Sequence, residues 1–542
     1  MKIVLKYKKG QDRILINDTE VTFTPNSVSL LGKRVYNEFV SEVIKYHKGS
    51  LFTLFSPILE RNSLTNPAFF ELCKVIFISD LLANGKDKIT IITCNPLYFI
   101  SFKATLSVDF FSKIKFFIEI FKRKLKKLII INLLVLREIR TKFLARTLKR
   151  RSFSVDNIFL SWVNEKCFDS LTYKDAYFSG LEKFLPNKSR SVYFSSLYGS
   201  LNISKTIKLI ESDHRVTLKE VWVDYKDIFK LYEVNRKTQS LKISDITYDN
   251  LNLTDFFKYQ MTNSVINDSY LFYRAFENVL KISSFNRIYF NFENLNPERS
   301  VMSAIDKSPN KIKKIGLFHT SFPTNLLNLD YPSKSSLCYI SKPDVILFNC
   351  KSYCDYFVSK YDDSGIIFDN IYAYRQKNYS VRQNTFTSFE QNEVLVCLPG
   401  NKNDFYFLID MLMHVTTAKT VVFRFHPMFR PEINDYTFNF SFRLDDSISL
   451  GSALSRHTML VSTYSASITE ASELGLSVAI LFESSRLAIN PLDNSSMSCI
   501  ALYGYEELEV FINSNAKRSP RYSHYNLSQN DFYRTKQLLS NL

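Results

Sequence analysis

Apolar residues in this chain fall into short dense runs, separated by longer segments in which they recur at intervals of three and four. Alternation of that kind predicts buried strands of a parallel α/β sheet, each followed by an amphipathic helix. Strands are predicted at 88–94, 155–161, 287–292, 314–319 and 344–349. After a polar stretch at 374–384, a second series begins: strands at 394–398, 420–425, 459–462 and 478–481, with a helix over 405–415. The polar stretch reads as a linker between two Rossmann-like domains. No internal repeat is visible.

Composition narrows the class. With 542 residues, 45% apolar and 15% aromatic, the chain is not mainly disordered and has room for two or three domains with proper cores. Eight cysteines are scattered without a CxxC pair, and Met1-Lys-Ile-Val-Leu-Lys lacks a signal-peptide pattern. Reduced, buried thiols in a cytoplasmic protein are expected. Glycine occurs only 12 times, well under the usual share of about 7%, and neither GxGxxG nor GxxxxGK[ST] is present. A bound phosphate must therefore be held by side-chain hydroxyls and helix ends.

Charge is concentrated. Residues 112–151 hold 14 Lys or Arg against Glu119 and Glu138, so most of the formal +17 lies in 40 residues. Apolar residues interleave with these charges and culminate in Leu128-Ile-Ile-Ile-Asn-Leu-Leu-Val-Leu136. Nine residues fall far short of the roughly 20 that span a bilayer. The segment is expected to lie on an anionic membrane surface; nucleic-acid binding by a basic stripe and an ordinary packed helix pair with a solvated charged face are the other readings.

Candidate chemistry gathers where strands end. Phe425-His426-Pro427 closes one predicted strand, and Ser462-Thr463-Tyr464-Ser465-Ala466-Ser467-Ile468-Thr469-Glu470 follows another. A hydroxyl-rich strand end running into a helix makes an anion site, because the first amides of the helix are unpaired and its dipole is positive there. Earlier, Glu293 and Asn294 follow the strand 287–292, and Pro297 opens a helix whose first turn holds Glu298. Glu293 is a candidate catalytic acid or a mere cap; Glu298 is a second candidate or only a favourable first-turn charge. His319 ends the next strand and could move a proton or meet an anion. Trp162, Asp175 and Tyr177 mix aromatic rings with an acid, company that suits a sugar. No HExxH, His/Cys cluster, DxD or GxSxG is present, so no metal or cofactor is expected.

These pieces carry a resemblance. Glu293-Asn294, Glu298, Gly316-Leu-Phe-His319, Val394-Leu-Val-Cys-Leu-Pro399, His426-Pro427 and Ser462–Glu470, with Trp162 and Asp175-Ala-Tyr177-Phe178 upstream, resemble bacterial surface-carbohydrate glycosyltransferases. The resemblance is nearest to GT-B enzymes that use CMP-activated ulosonic acids such as Kdo or sialic acid. It implies two Rossmann-like domains facing a cleft: 1–380 for acceptor and catalysis, with 105–151 as a basic helical insertion, 381–515 for the donor nucleotide, and 516–542 as a tail. It further implies that His426, Pro427, Ser462, Thr463, Ser465, Ser467 and Glu470 meet the CMP donor. Glu293, His319, Asp175 and Glu298 are then the catalytic candidates, and Asn294, Trp162 and Tyr177 meet the acceptor. The acceptor would be a lipid-linked glycan, and the protein peripheral on the inner face of a bacterial inner membrane. CDP-glycerol phosphotransferases share a similar HP and hydroxyl pattern; UDP- or GDP-sugar transfer and a membrane- or RNA-binding scaffold are the remaining alternatives.

Overall fold

A computed structural model describes the chain except residues 1–2, 9–11, 22, 24, 49, 64–65, 85–88, 103–105, 176, 179, 187–188, 199–201, 244, 249–250, 264–267, 375–391, 427–428, 448, 485, 494, 496 and 520–524. Pro427 and, beyond Tyr374, the expected linker thus lie outside the described residues. The chain divides into two compact units, one of Met1–Leu317, Leu327–Ile346 and Tyr361–Ile367, the other of Phe318–Leu326, Leu347–Lys360 and Phe368–Leu542.

Two Rossmann-like sheets dominate. The first runs Val216–Leu218, Ser191–Leu197, Asn157–Val163, Arg287–Asn291, Lys313–Phe318, Val345–Phe348 and Ile367–Asn370. Arg287 pairs in parallel with Asn157 on one side and with Lys313 on the other. The second runs Phe442–Leu444, Thr420–Arg424, Glu393–Cys397, Met459–Ser462, Ser477–Leu481 and Ile500–Leu502, again with parallel neighbours. Its strands feed two cores in strict alternation. Val394, Val396, Val421 and Phe423 pack with Phe405, Leu408 and Leu412 of the helix Lys402–Met413. Leu395, Val422, Leu460 and Ile480 pack on the opposite face with Ile468 and Ala471. Burial on both faces is why these strands read as unbroken apolar runs.

A third sheet changes the reading of the first hundred residues. Ile89–Thr93, expected among the main parallel series, lies instead in a five-stranded mixed sheet of Thr19–Val21, Arg13–Ile16, Ile89–Thr93, Ile3–Tyr7 and Leu106–Val108. Arg13–Ile16 and Thr19–Val21 form a hairpin whose two turn residues, Asn17 and Asp18, have φ of 49° and 65°. Positive φ at both central positions is what a tight right-twisted hairpin requires. An apolar run identifies a strand but not its partner.

The basic segment forms one helix, Phe110–Leu144, of 35 residues, capped by Asp109, whose carboxylate accepts from the Ser112 amide at 2.9 Å. One stripe of it, including Phe116, Ile131, Val135 and Glu138, is buried in the first unit. Ile131 and Val135 come from the apolar run 128–136, so that run is only partly free. The anchor is electrostatic as well as apolar. Lys219, fully buried, lies 2.6 Å from Asp268, 3.3 Å from Glu138 and 3.6 Å from Glu220. Burial depresses the Lys219 ammonium, but Asp268, Glu138 and Glu220 outweigh it and hold the pKa well above its ordinary value. Burial pushes Glu220 up to about 6.

Removing the buried Lys219 ammonium leaves Glu138 and Asp268 with the exposed Arg137 and strips Glu220 of its ion-pair partner among the described residues, a loss of about 3–5 kcal/mol for a broken buried pair. Lys219→Met is therefore expected to lower the urea midpoint strongly at pH 8, and less at pH 5, where Glu220 takes up a proton; equal losses at both would mean that packing of the methylene stem carries the effect.

Candidate functional site

The carboxyl ends of Asn157–Val163 and Arg287–Asn291 open on a cavity of about 330 Å³ within the first unit. Its lining includes Trp162, Tyr177, Tyr198 and Phe272 together with Ser161, Glu293 and Glu298. Four residues singled out from sequence are thus brought together: Glu293, Glu298, Trp162 and Tyr177. The Trp162 ring stands 5.8 Å from Tyr198 and 5.8 Å, edge to face, from Phe272. An aromatic wall with a few convergent polar groups is a small-molecule site in form.

The two acids differ in state. Glu293 is half-buried, whereas Glu298 is buried in the first turn of the helix Asn296–Asp306 and accepts from the Glu293 amide at 3.2 Å. Burial, and then the neighbouring Glu293, raise the Glu298 carboxyl well above the carboxylate range, against the pull of the backbone amides of Glu293, Asn294 and Leu295. The shift favours the protonated form of Glu298 beside the half-buried Glu293.

The loop that carries Glu293 is clamped from behind. Asn294 takes the left-handed φ of 55°, accepts from Arg299 Nε at 2.9 Å and donates to the Asp330 carbonyl at 3.3 Å. Its amide, expected to meet acceptor, is 1% exposed and spent on this clamp. Asn328 donates to the Glu293 carbonyl at 2.8 Å, and the Asn296 amide donates to Glu60 at 3.0 Å. Arg61 donates to the Asp330 carbonyl and, at 2.7 Å, to Asn37. Burial, reinforced by Arg299, depresses the Arg61 guanidinium to about 10. Neither arginine was singled out from sequence, where a lone Arg gives no sign of burial.

Asp175 is also buried. It accepts from the Tyr177 and Phe178 amides at 2.7 Å each, from the Tyr173 hydroxyl at 2.6 Å and from Ser161. Those bonds fix the turn that presents Tyr177, a positioning role. His319 directly follows Lys313–Phe318, is half-buried and belongs to the second unit.

In the second unit, polar groups gather around the end of the strand Glu393–Cys397. Ser462 is buried and donates to the Cys397 carbonyl at 2.7 Å, so it ties two strands together. The Cys397 thiol, pushed up to about 12 by burial, meets the Ser467 hydroxyl. Ser465 caps the helix Ala466–Glu473, accepting from the Ser467 amide at 3.3 Å and pairing with the Ser467 hydroxyl at 2.9 Å. Gly475, at φ 79°, ends that helix and lets the Leu476 amide reach the Ala471 carbonyl at 3.0 Å. Thr463 is buried, and its hydroxyl has no hydrogen-bond partner among the described residues, an arrangement that costs about 1–3 kcal/mol and that a ligand oxygen would relieve. Glu470 lies half-buried on the same helix. Three residues past Cys397, Gly400 runs so close to His426 that a Cβ there would fall 2.7 Å from the ring. Burial lowers the His426 pKa below 6.5, favouring a neutral ring. Gly400 was missed in the sequence; its signal is one scarce glycine directly after a predicted strand. Among the described residues no three His, Cys, Asp or Glu side chains converge as a metal site.

No family model and no curated protein matches the chain. Among solved structures it is similar to CalG4, the calicheamicin glycosyltransferase, at 10% identity and a TM-score of 0.37, over 72% of this chain and 94% of that one. The UDP-GlcNAc 2-epimerase of Methanocaldococcus jannaschii aligns at 9% identity and 0.36, over 72% and 98%. The wall teichoic acid polymerase TagF aligns at 9% and 0.32, over 78% and 92%. Scores this low leave the fold class resting on the strand order given above.

Two variants test this geometry. Glu298 has a folded pKa above its unfolded one, so it stabilises the fold at low pH and that contribution is lost as pH rises from about 4.3 through the folded value. Glu298→Gln is expected to raise the melting temperature at pH 8 relative to pH 4.5; an identical shift at both would show that the carboxyl is ionised throughout. Gly400→Ala must displace His426, and is expected to keep the melting temperature within a few degrees while weakening binding of a nucleoside phosphate measured by calorimetry.

Proposed function

We propose that the protein is a GT-B-type glycosyltransferase that moves a sugar from a nucleotide-activated donor to a glycan acceptor. The observation that carries this reading is the cavity in the first unit, where a half-buried carboxylate, Glu293, faces an aromatic wall at the carboxyl edge of a parallel sheet. Glu293 acts as the base: it takes the proton of the acceptor hydroxyl as that oxygen bonds to the anomeric carbon and the nucleotide departs with the bonding pair. Glu298, whose burial favours its protonated form, accepts from the Glu293 amide and so helps hold the loop in place. Trp162 and Tyr198 stack on the sugar face, and Tyr177 lines the same wall.

The donor is read as CMP-activated, an ulosonic acid such as Kdo or a nonulosonic acid. A CMP-sugar has one phosphate, which matches a site with one hydroxyl-rich helix start and no glycine loop. Ser465, Ser467 and the Thr463 hydroxyl, which has no hydrogen-bond partner among the described residues, supply donors, and His426 adds an N–H, or a charge once it protonates. Glu470 suits the ribose diol. The acceptor is read as a lipid-linked surface glycan, which would put the protein at the inner face of a bacterial inner membrane.

The deciding experiment is a screen of CMP-, CDP-, UDP- and GDP-activated donors with a lipid-linked glycan and calorimetry of the free nucleotides. CMP-sugar turnover supports the reading. CDP-glycerol turnover assigns a glycerophosphotransferase, UDP- or GDP-sugar turnover corrects the nucleotide, and no nucleotide binding at all leaves a scaffold. His426→Ala and Ser465→Ala are each expected to weaken donor use about 10- to 100-fold, the equivalent of a lost charge-assisted contact of about 1.5–3 kcal/mol. Glu293→Gln is expected to cut turnover by about 10²–10⁴-fold with nucleotide affinity unchanged; near-normal turnover would remove Glu293 from the role of base.

A further inference from the structure

The helix Phe110–Leu144 has a second face. Phe111, Phe117, Phe121, Leu125, Leu128 and Leu136 are each between 48 and 72% exposed. At 3.6 residues per turn they fall within about a third of the circumference, on the side away from buried Phe116, Lys127 and Glu138. From Phe111 to Leu128 they form one continuous apolar band roughly 25 Å long, and beyond it Asn132, which accepts from the Tyr232 hydroxyl at 2.6 Å, interrupts the stripe before Leu136. Isolated exposed apolar side chains are ordinary, but a contiguous band of this length marks an interaction surface.

Basic side chains border the band on both sides. Lys115, Lys122, Lys126 and Arg140 lie along one edge and Lys113 and Lys124 along the other, all exposed. No acidic residue falls within the band. Glu119 lies at its margin, bonded to Lys122 at 2.7 Å, and Glu138 is turned inward to Lys219. Among the described residues no helix is long and apolar enough to cross a membrane.

We infer that this face is a docking surface for an anionic lipid bilayer, with the helix lying along the headgroup layer, its apolar band in the acyl boundary and its lysines on the phosphates. Charge complementarity selects the occupant. A second copy of the chain would bring two rows of lysines together, and a nucleic acid would leave the apolar centre of the band facing water. Lipid alone offers negative charge and apolar depth in that order across the same surface. The buried stripe explains how the helix is held at the right height: Phe116, Ile131 and the Glu138–Lys219 pair fix it to the first unit, so the free face is presented rigidly. The inference is independent of the sugar-transfer reading.

The test uses the full chain with vesicles of phosphatidylcholine alone or mixed with phosphatidylglycerol. Co-sedimentation is expected with the mixed vesicles, and is expected to fall as salt rises from 0.1 to 1 M because the screening length shrinks from about 10 to 3 Å. Lys122→Gln, Lys124→Gln and Lys126→Gln together should weaken binding on the order of 100-fold, at about fivefold per lysine. Phe117→Ser, Phe121→Ser and Leu125→Ser together should abolish it, with the melting temperature retained because all three are exposed. Emission from a Phe121→Trp variant should shift to the blue on mixed vesicles. Equal binding to neutral vesicles, insensitivity to both triple variants, or unmoved emission would overturn the proposal. So would a dimer in sedimentation velocity that the apolar triple variant dissolves, since the band would then be a self-interface.

Discussion

Parallel strand pairing demands crossover helices, and those helices cover both faces of a sheet. The second sheet shows the consequence in its alternate residues: Val394 and Val396 enter one core while Leu395 enters the other. With both faces sealed, the polar side chains that must reach a ligand have room where strands stop. Glu293 follows one strand end, Thr463 and Ser465 another, and His426 a third. These candidate groups occupy the place that the constraint leaves open.

Placement at a strand end is not sufficient; the loop must also hold still. Behind Glu293 the chain uses buried polar chemistry, with Arg299 on a left-handed Asn294 and Arg61 on the carbonyl of Asp330. Arginine suits the task because its planar, fork-shaped donors satisfy several carbonyl and amide oxygens at once. In the second unit the equivalent restraint is steric. A glycine lets the backbone run under His426, and strand-to-strand bonding through Ser462 fixes the junction from which the helix Ala466–Glu473 starts.

The long basic helix joins two environments on one element. Its inward stripe carries Glu138 into a fully buried cluster around Lys219, where charges survive because each has a partner. Its outward band keeps the remaining apolar residues in solvent beside exposed lysines. Within the nine-residue run 128–136, apolar but for Asn132, Ile131 and Val135 are packed while Leu128 and Leu136 are exposed. Leu128 and Val135, seven residues apart, lie on nearly the same side of the helix, so the elements packed against each turn, and not periodicity alone, decide which is covered.

The sequence by itself determined four strands of each Rossmann-like sheet, because continuous apolar runs bounded by polar residues have few other solutions, and the second series lies within a residue or two of Glu393–Cys397, Thr420–Arg424, Met459–Ser462 and Ser477–Leu481. It also pointed to Glu293, Glu298, Trp162 and Tyr177 by their positions after strands. It missed Ser191–Leu197, in which Ser195 and Ser196 are buried and break the apolar run, and with it Tyr198 on the cavity wall. Only the tertiary structure decided that Ile89–Thr93 belongs to a separate mixed sheet, because strand partners are chosen across long sequence separations that local pattern does not encode. Likewise, only packing could turn Asn294 and Asp175 inward, raise the Glu298 carboxyl and bury Arg61. Burial and charge pairing are properties of neighbours, and the neighbours of these residues are brought in from distant parts of the chain.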